Sequence, residues 1–142
     1  MKPVKVSVLP AHWCVDRQIL RAIREQVFII EQSVPIDLEW DEFDAPSRHV
    51  LAWVNGAAAG TGRLLPDGHI GRMAVLRQWR GLGVGSALLG ALVEIARTLG
   101  MRRVLLNAQV QALPFYRRHG FEIEGEEFLD AGIAHRRMVR EL

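Results

Sequence analysis

The chain has 142 residues, 49% of them apolar, with a single cysteine and a formal charge of +2. This is the size of one ordinary domain, residues 1–142, with enough apolar content for a real core. An internal disulfide is excluded, no run of about 18 uncharged apolar residues is present to span a membrane, and so small a charge gives no argument for nucleic acid.

Val4, Val6 and Val8 alternate with Lys5 and Ser7, which is strand periodicity, and Lys5 breaks the apolar run that a secretion signal would need. Cys14 is read as a small packed hydrophobe, and a lone cysteine fits a reducing cytoplasm. Asp16 is placed to cap a helix whose apolar stripe is Ile19, Leu20, Ile23, Val27 and Ile30. Residues 37–44 form an acidic loop, from Asp37 through Glu39 and Asp41 to Asp44. Three strands follow, His49 to Val54, Ala58 to Leu65 and His69 to Leu76, separated by turn signals at Asn55-Gly56 and Pro66-Asp67-Gly68. A helix carrying Val84, Leu88, Leu92, Ile95 and Leu99 ends at Gly100. Arg103 to Asn107 is a buried strand, and Pro114 opens a short helix that Gly120 ends. Phe121 to Gly125 and Ala134 to Arg140 finish the chain as strands, with a hairpin around Asp130-Ala131-Gly132. The order β-α-β-β-β-α-β-α-β-β specifies a mixed α/β sheet of about seven strands flanked by helices. The five histidines show no metal-ligand spacing, so no metal is expected.

The strongest local signal is Gln78-Trp79-Arg80-Gly81-Leu82-Gly83-Val84-Gly85-Ser86, between a strand and a helix. Alternate glycines let the main chain come close to a ligand, and the free N–H groups at a helix start favour phosphate. No Lys-Ser or Lys-Thr follows, and the spacing is not that of a dinucleotide fold.

Gln78-x-x-Gly81-x-Gly83 resembles the pyrophosphate-binding motif of the GCN5-related N-acetyltransferases. The element order, Asn107 after the next strand, and Phe115-Tyr116-x-x-x-Gly120-Phe121 are similar to that family as well. Arg24-Glu25-x-Val27-Phe28-x-x-Glu31-Gln32-x-Val34-Pro35, Gly60-Thr61-Gly62-Arg63-Leu64 and Asp130-Ala131-Gly132-Ile133-Ala134-His135 resemble its ElaA-like bacterial branch. The resemblance implies a centrally splayed sheet and transfer of acetyl from acetyl-coenzyme A to a primary amine by direct attack. It implies that Gln78 and the backbone of Arg80, Gly81, Leu82, Gly83, Val84, Gly85 and Ser86 hold the pyrophosphate. Met73 to Val75 and Asn107 then hold the pantetheine arm, the Val75 N–H stabilises the carbonyl oxygen, and Tyr116 stands near the sulfur.

Tyr116 is the candidate acid for the departing thiolate. The strand before the Gly-rich loop carries no carboxylate, so the base is left unassigned among Glu31, Glu39, Asp41, Asp44, His135 or a water chain. Glu39, Arg63 and Arg72 are the substrate-side candidates. The acidic loop leans towards a cationic small amine or a lysine side chain, whereas the two arginines lean towards a carboxylate. Trp40 and Trp53 are read as core. A non-catalytic acyl-coenzyme A sensor on the same fold and a basic RNA-binding module are the competing readings; the first has no need of Tyr116, and the second lacks an aromatic-rich strand motif. A homodimer is kept as a candidate assembly.

Overall fold

The computed structural model describes residues 4–34 and 41–142. In chain order the elements are β1 (Val6–Ala11), α1 (Trp13–Arg24), β2 (Arg48–Val54), β3 (Ala57–Leu64), β4 (His69–Val75), α2 (Val84–Thr98), β5 (Arg103–Gln109), α3 (Leu113–Arg118), β6 (Glu122–Ile123), β7 (Phe128–Asp130) and β8 (Ile133–Glu141). Single 3₁₀ turns at Arg77–Trp79 and Val110–Ala112 precede α2 and α3.

The described strands form one eight-stranded sheet, ordered β1-β2-β3-β4-β5-β8-β6 with β7 paired to β8. All neighbours are antiparallel except β4 and β5. The extra strand beyond the expected seven is β7. It makes the hairpin with β8, while the next-to-last strand expected over 121–125 shrinks to the two residues of β6. The hairpin turns through Ala131 and Gly132, whose φ values of +50° and +77° are the pair a two-residue type I′ turn requires.

Helices cover both faces. On one, Val84, Leu88, Leu92 and Ala96 of α2 pack on Val50, Ala52, Val54, Leu64, Ile70, Val104 and Leu106. On the other, Leu20, Ile23 and Val27 pack on Leu51 and Ala74, with Trp53 at the margin of this second cluster. No helix among the described residues is long and apolar enough to cross a membrane.

Three expectations about α1 are corrected. Its N-cap is His12, and Asp16 lies within the first turn, accepting from the His12 N–H at 2.8 Å. The earlier start brings Trp13 into place, stacked 5.1 Å from His49 with the Arg24 guanidinium 5.6 Å over its ring. Cys14 is exposed rather than packed. The helix also widens into π-helical turns over Glu25–Glu31. One extra residue per turn rotates the apolar stripe, so Val27 stays buried and Ile30 ends 61% exposed.

Candidate active site

β4 and β5 pair at only two positions, His69 with Leu105 and Ile70 with Leu106. Beyond them β5 continues beside β8 as far as Gln109 opposite His135. β4 instead carries an extra residue. Arg63 pairs with Gly71 and Thr61 with Ala74, and Arg72 between them has φ +50°. This is a β-bulge, which bends its strand and shifts the alternation of side chains. Ile70 faces the α2 core before the bulge, and Met73 and Val75 do so after it. A wedge therefore opens between Met73–Val75 and Asn107–Gln109. The Leu76 N–H donates to the Ala59 carbonyl at 2.8 Å on the β3 side. Strand amides alternate in direction, so the N–H and C=O of Val75 face the wedge.

The wedge belongs to a cavity of about 890 Å³. One end is lined by Val75, Arg80, Gly81, Gly83, Gly85 and Ser86, and by Ala112, Phe115 and Tyr116 across the gap. The other end is lined by Phe28, Gln32 and Val34, by Arg63 and Arg72, and by Gln109, Ile133 and His135. Met73, Val84 and Asn107 also reach the wall.

At the first end the chain turns sharply into α2. Gly81 and Gly83 have φ of +78° and +83°, and Gly83 is the N-cap of α2. A Cβ at either would meet no protein atom within 4 Å. The left-handed backbone is what demands glycine here, and the open space beside it lets a ligand approach the N–H groups of the first helical turn. Gly85 differs, since its added Cβ would rest against the Phe115 ring at 3.5 Å. The Ser86 hydroxyl lies 3.0 Å from His119 Nε2. Gln78 is exposed and faces a second hollow beside Ile19 and Ile23 rather than this cavity, and Leu82 is exposed and on the wall of neither.

Arg80 uses its side chain as a brace. Its Nε donates to the Val75 carbonyl at 2.9 Å, and its terminal nitrogens donate to both Glu31 oxygens at 2.7 and 2.8 Å. These hydrogen bonds hold the Glu31 carboxyl below its ordinary value.

Tyr116 packs between Phe115 and Phe121, and its hydroxyl donates to the Met73 thioether at 3.9 Å. Burial pushes its pKa up to about 12. The phenol is therefore a proton donor across the physiological range.

At the other end the described part of the acidic loop, Asp41 to Asp44, turns inward. Asp44 is 2% exposed and accepts from Arg24 at 2.7 Å and from Arg63 at 2.9 Å. Burial raises its carboxyl, and the two guanidinium groups outweigh that and leave it lowered. Asp41 accepts from Arg63 at 2.8 Å and Arg72 at 3.3 Å. Arg63 and Arg72 do line the cavity, but as members of this ion network. The expectation that the loop offers free carboxylates to a cation is corrected for Asp41 and Asp44, because the strand arginines already neutralise them. Glu39 and Trp40 lie outside the described residues. The sequence reading missed a bridge across the wedge mouth, where Gln109 Nε2 donates to Gln32 Oε1 at 2.9 Å. Paired amides 77 positions apart leave no local signal. Among the described residues, no three His, Cys, Asp or Glu side chains gather as a metal would need.

The acetyltransferase (GNAT) domain family matches residues 16–142. The chain belongs to this family. An N-acetyltransferase of Bacillus subtilis named YjcF, itself uncharacterized, is 41% identical over 123 residues, covering 84% of this chain and 88% of that protein. Escherichia coli ElaA superposes with a TM-score of 0.85 at 28% identity, covering 96% of this chain and all of that one. An acyl-CoA N-acyltransferase from Pseudomonas aeruginosa does so with a TM-score of 0.84 at 29% identity, covering 96% and 99%. The GNAT protein described here is thus an acyltransferase, of the fold whose acyl-CoA N-acyltransferases use acyl-CoA. The splay and the ElaA-like character implied by the sequence resemblance both stand.

Proposed function

We propose that this GNAT enzyme moves the acetyl group of acetyl-CoA to a primary amine, with the wedge between β4 and β5 as the place of transfer. The observation that carries the reading is the alignment of three features on one cavity. They are the left-handed Gly81–Gly83 loop at the start of α2, the Val75 amide facing the gap, and the Tyr116 hydroxyl on the opposite wall. The open faces of Gly81 and Gly83 fit a pyrophosphate, and the unpaired edges of Met73–Val75 and Asn107 fit an amide-bearing arm.

Each chain group has one task. The backbone of residues 80–86 binds the phosphates through the helix start. The Val75 N–H, preorganised by the strand and by the Arg80 brace on its carbonyl, receives the oxygen that gains charge during attack. Tyr116 gives its proton to the departing sulfur. Arg63 and Arg72 shape the acceptor end as members of an ion network in which Asp41 and Asp44 are already paired, so those two carboxylates offer no free negative charge to a cationic acceptor. A small amine and a lysine side chain both fit an opening of this kind.

The test is thermal melting with and without coenzyme A and acetyl-CoA, alongside thiol release with a panel of primary amines. Ligand at about 100 times its dissociation constant stabilises by ~2.7 kcal/mol, a shift on the order of several degrees for a domain of this size. Gly83→Glu sets a carboxylate at the proposed phosphate position and is expected to abolish the shift while the protein stays folded. A full shift in that variant would move the phosphate site elsewhere.

A further inference from the structure

We propose that His135 is the general base of the transfer, receiving on Nε2 the proton that the acceptor amine loses. The assignment rests on the cavity being the acyl-transfer site, and it fills the one chemical role that the residues above leave vacant.

His135 stands at the start of β8, directly opposite Gln109 of β5. Cross-strand partners share a face of the sheet, and Asn107, two residues earlier in β5, shares it too. The imidazole thus lies on the same face as Asn107 and Gln109, is 8% exposed, and lines the cavity. Its Nδ1 lies 2.7 Å from the Ile133 carbonyl oxygen. A carbonyl can only accept, so Nδ1 carries a proton, and in the uncharged tautomer this leaves the lone pair on Nε2. Phe128 stacks on the ring at 5.9 Å and 23°, which fixes its plane. Among the described residues Nε2 has no hydrogen-bond partner.

Three of the candidate carboxylates are already engaged, and Asp130, which also lines the cavity, is exposed beside the turn between β7 and β8. Glu31 is held by both terminal nitrogens of Arg80, and Asp41 and Asp44 by Arg63 with Arg72 or Arg24. A carboxylate bound to guanidinium groups binds a proton poorly. Among the described residues His135 Nε2 has no such competitor.

The proposed sequence balances. The amine nitrogen forms its bond to the thioester carbon, and the carbonyl π pair moves to the oxygen facing the Val75 N–H. His135 Nε2 takes one proton from that nitrogen. The C–S bond then breaks, and the sulfur takes the Tyr116 proton. Water carries the proton from the imidazolium back to the phenolate, so both side chains return to their starting forms. The products are an amide and a free thiol.

The decisive variant is His135→Asn. The asparagine N–H can replace Nδ1 as donor to the Ile133 carbonyl, but it offers no base. A merely structural histidine would tolerate it. With acetyl-CoA and spermidine, tyramine or lysine amide as probes, we expect kcat to fall by at least ~100-fold. The coenzyme A melting shift should persist, and added imidazole should restore part of the rate in His135→Ala. If the asparagine variant keeps kcat within about threefold of the wild type, the assignment is wrong, while the persisting shift leaves the cavity reading intact. Loss of the shift in the wild type would instead sink the cavity reading itself. A two-bond ¹H–¹⁵N spectrum judges the base independently of any acceptor. The proton on Nδ1 is expected, and a proton on Nε2 overturns the proposal.

Discussion

Asp44→Ala separates a structural role for the acidic loop from a substrate role. In the folded protein this carboxylate lies between Arg24, 1% exposed, and Arg63, 5% exposed. Removing it takes from Arg24 its 2.7 Å contact with a buried carboxylate, whereas Arg63 keeps Asp41 at 2.8 Å. Breaking a buried ion pair by deleting one partner costs about 3–5 kcal/mol. For a domain of this length that lowers Tm by on the order of 10–15 °C. Asp41→Asn is the control. Asp41 is more exposed, and Arg63 retains Asp44, so about 1 kcal/mol is expected. Thermal melts of both variants at pH 7, with acetyl-CoA turnover measured well below the lower Tm, give the comparison. Asp44→Ala melting within about 3 °C of the wild type, with a raised KM for the amine, would refute the argument and return the loop to substrate binding.

Tyr116→Phe is expected to slow the chemical step. In the wild type, a tyrosine raised to about 12 stays protonated, so the pH–rate profile should show no falling limb below about pH 11; a limb near 10 would mean an ordinary phenol. Burial lowers the His49 pKa, so the folded protein binds this proton less readily than the unfolded chain. The stability it contributes is present above the unfolded value of ~6.5 and is lost as pH falls below it. Urea melts at neutral and mildly acid pH should show that loss, and His49→Gln should flatten the slope; an unchanged slope would remove His49 as its source. Gly60→Ala would set a Cβ 2.8 Å from the Ala74 carbonyl oxygen and 3.0 Å from Leu88. Overpacking of this kind costs about 1–3 kcal/mol, and strain beside Val75 should lower kcat as well as Tm; a neutral effect on both would show that the strand gives way freely.

The order of elements was legible because it rests on local rules. Alternating valines, turn pairs such as Asn55-Gly56, and a helical stripe closed by Gly100 each act within a few residues. The Gly81–Gly83 loop was legible for the same reason, since a left-handed φ at a helix start selects glycine. Other features were not. The π-helical widening at Glu25–Glu31 arises from a change in hydrogen-bond step that no residue type announces. The bulge falls on Arg72, a non-glycine at positive φ, and its position depends on the register with β3. The pairing of Arg63 with Asp41 and Asp44 spans 22 and 19 positions, and read separately the two charges pointed to opposite substrates. Cys14 was assigned inside by residue type, but the true start of α1 turned it outward.

The bulge and the two ion networks belong to one design problem. An N–H can serve a developing oxyanion only if no strand partner already takes it, so β4 has to part from β5 at Val75. Parting removes the ladder that would otherwise hold the backbone still, and a mobile donor loses the advantage of preorganisation. Charged side chains supply the lost restraint on either side of Val75 along the chain. Upstream, Asp41 ties the bulge residue Arg72 to Arg63 on β3. Downstream, Arg80 clamps the Val75 carbonyl and is itself held by Glu31 from the widened end of the first helix. The Val75 carbonyl is thereby occupied while its N–H stays directed at the wedge. With Glu31, Asp41 and Asp44 committed to backbone positioning and Asp130 exposed beside the β7–β8 turn, the proton-accepting role proposed above falls to His135 on β8.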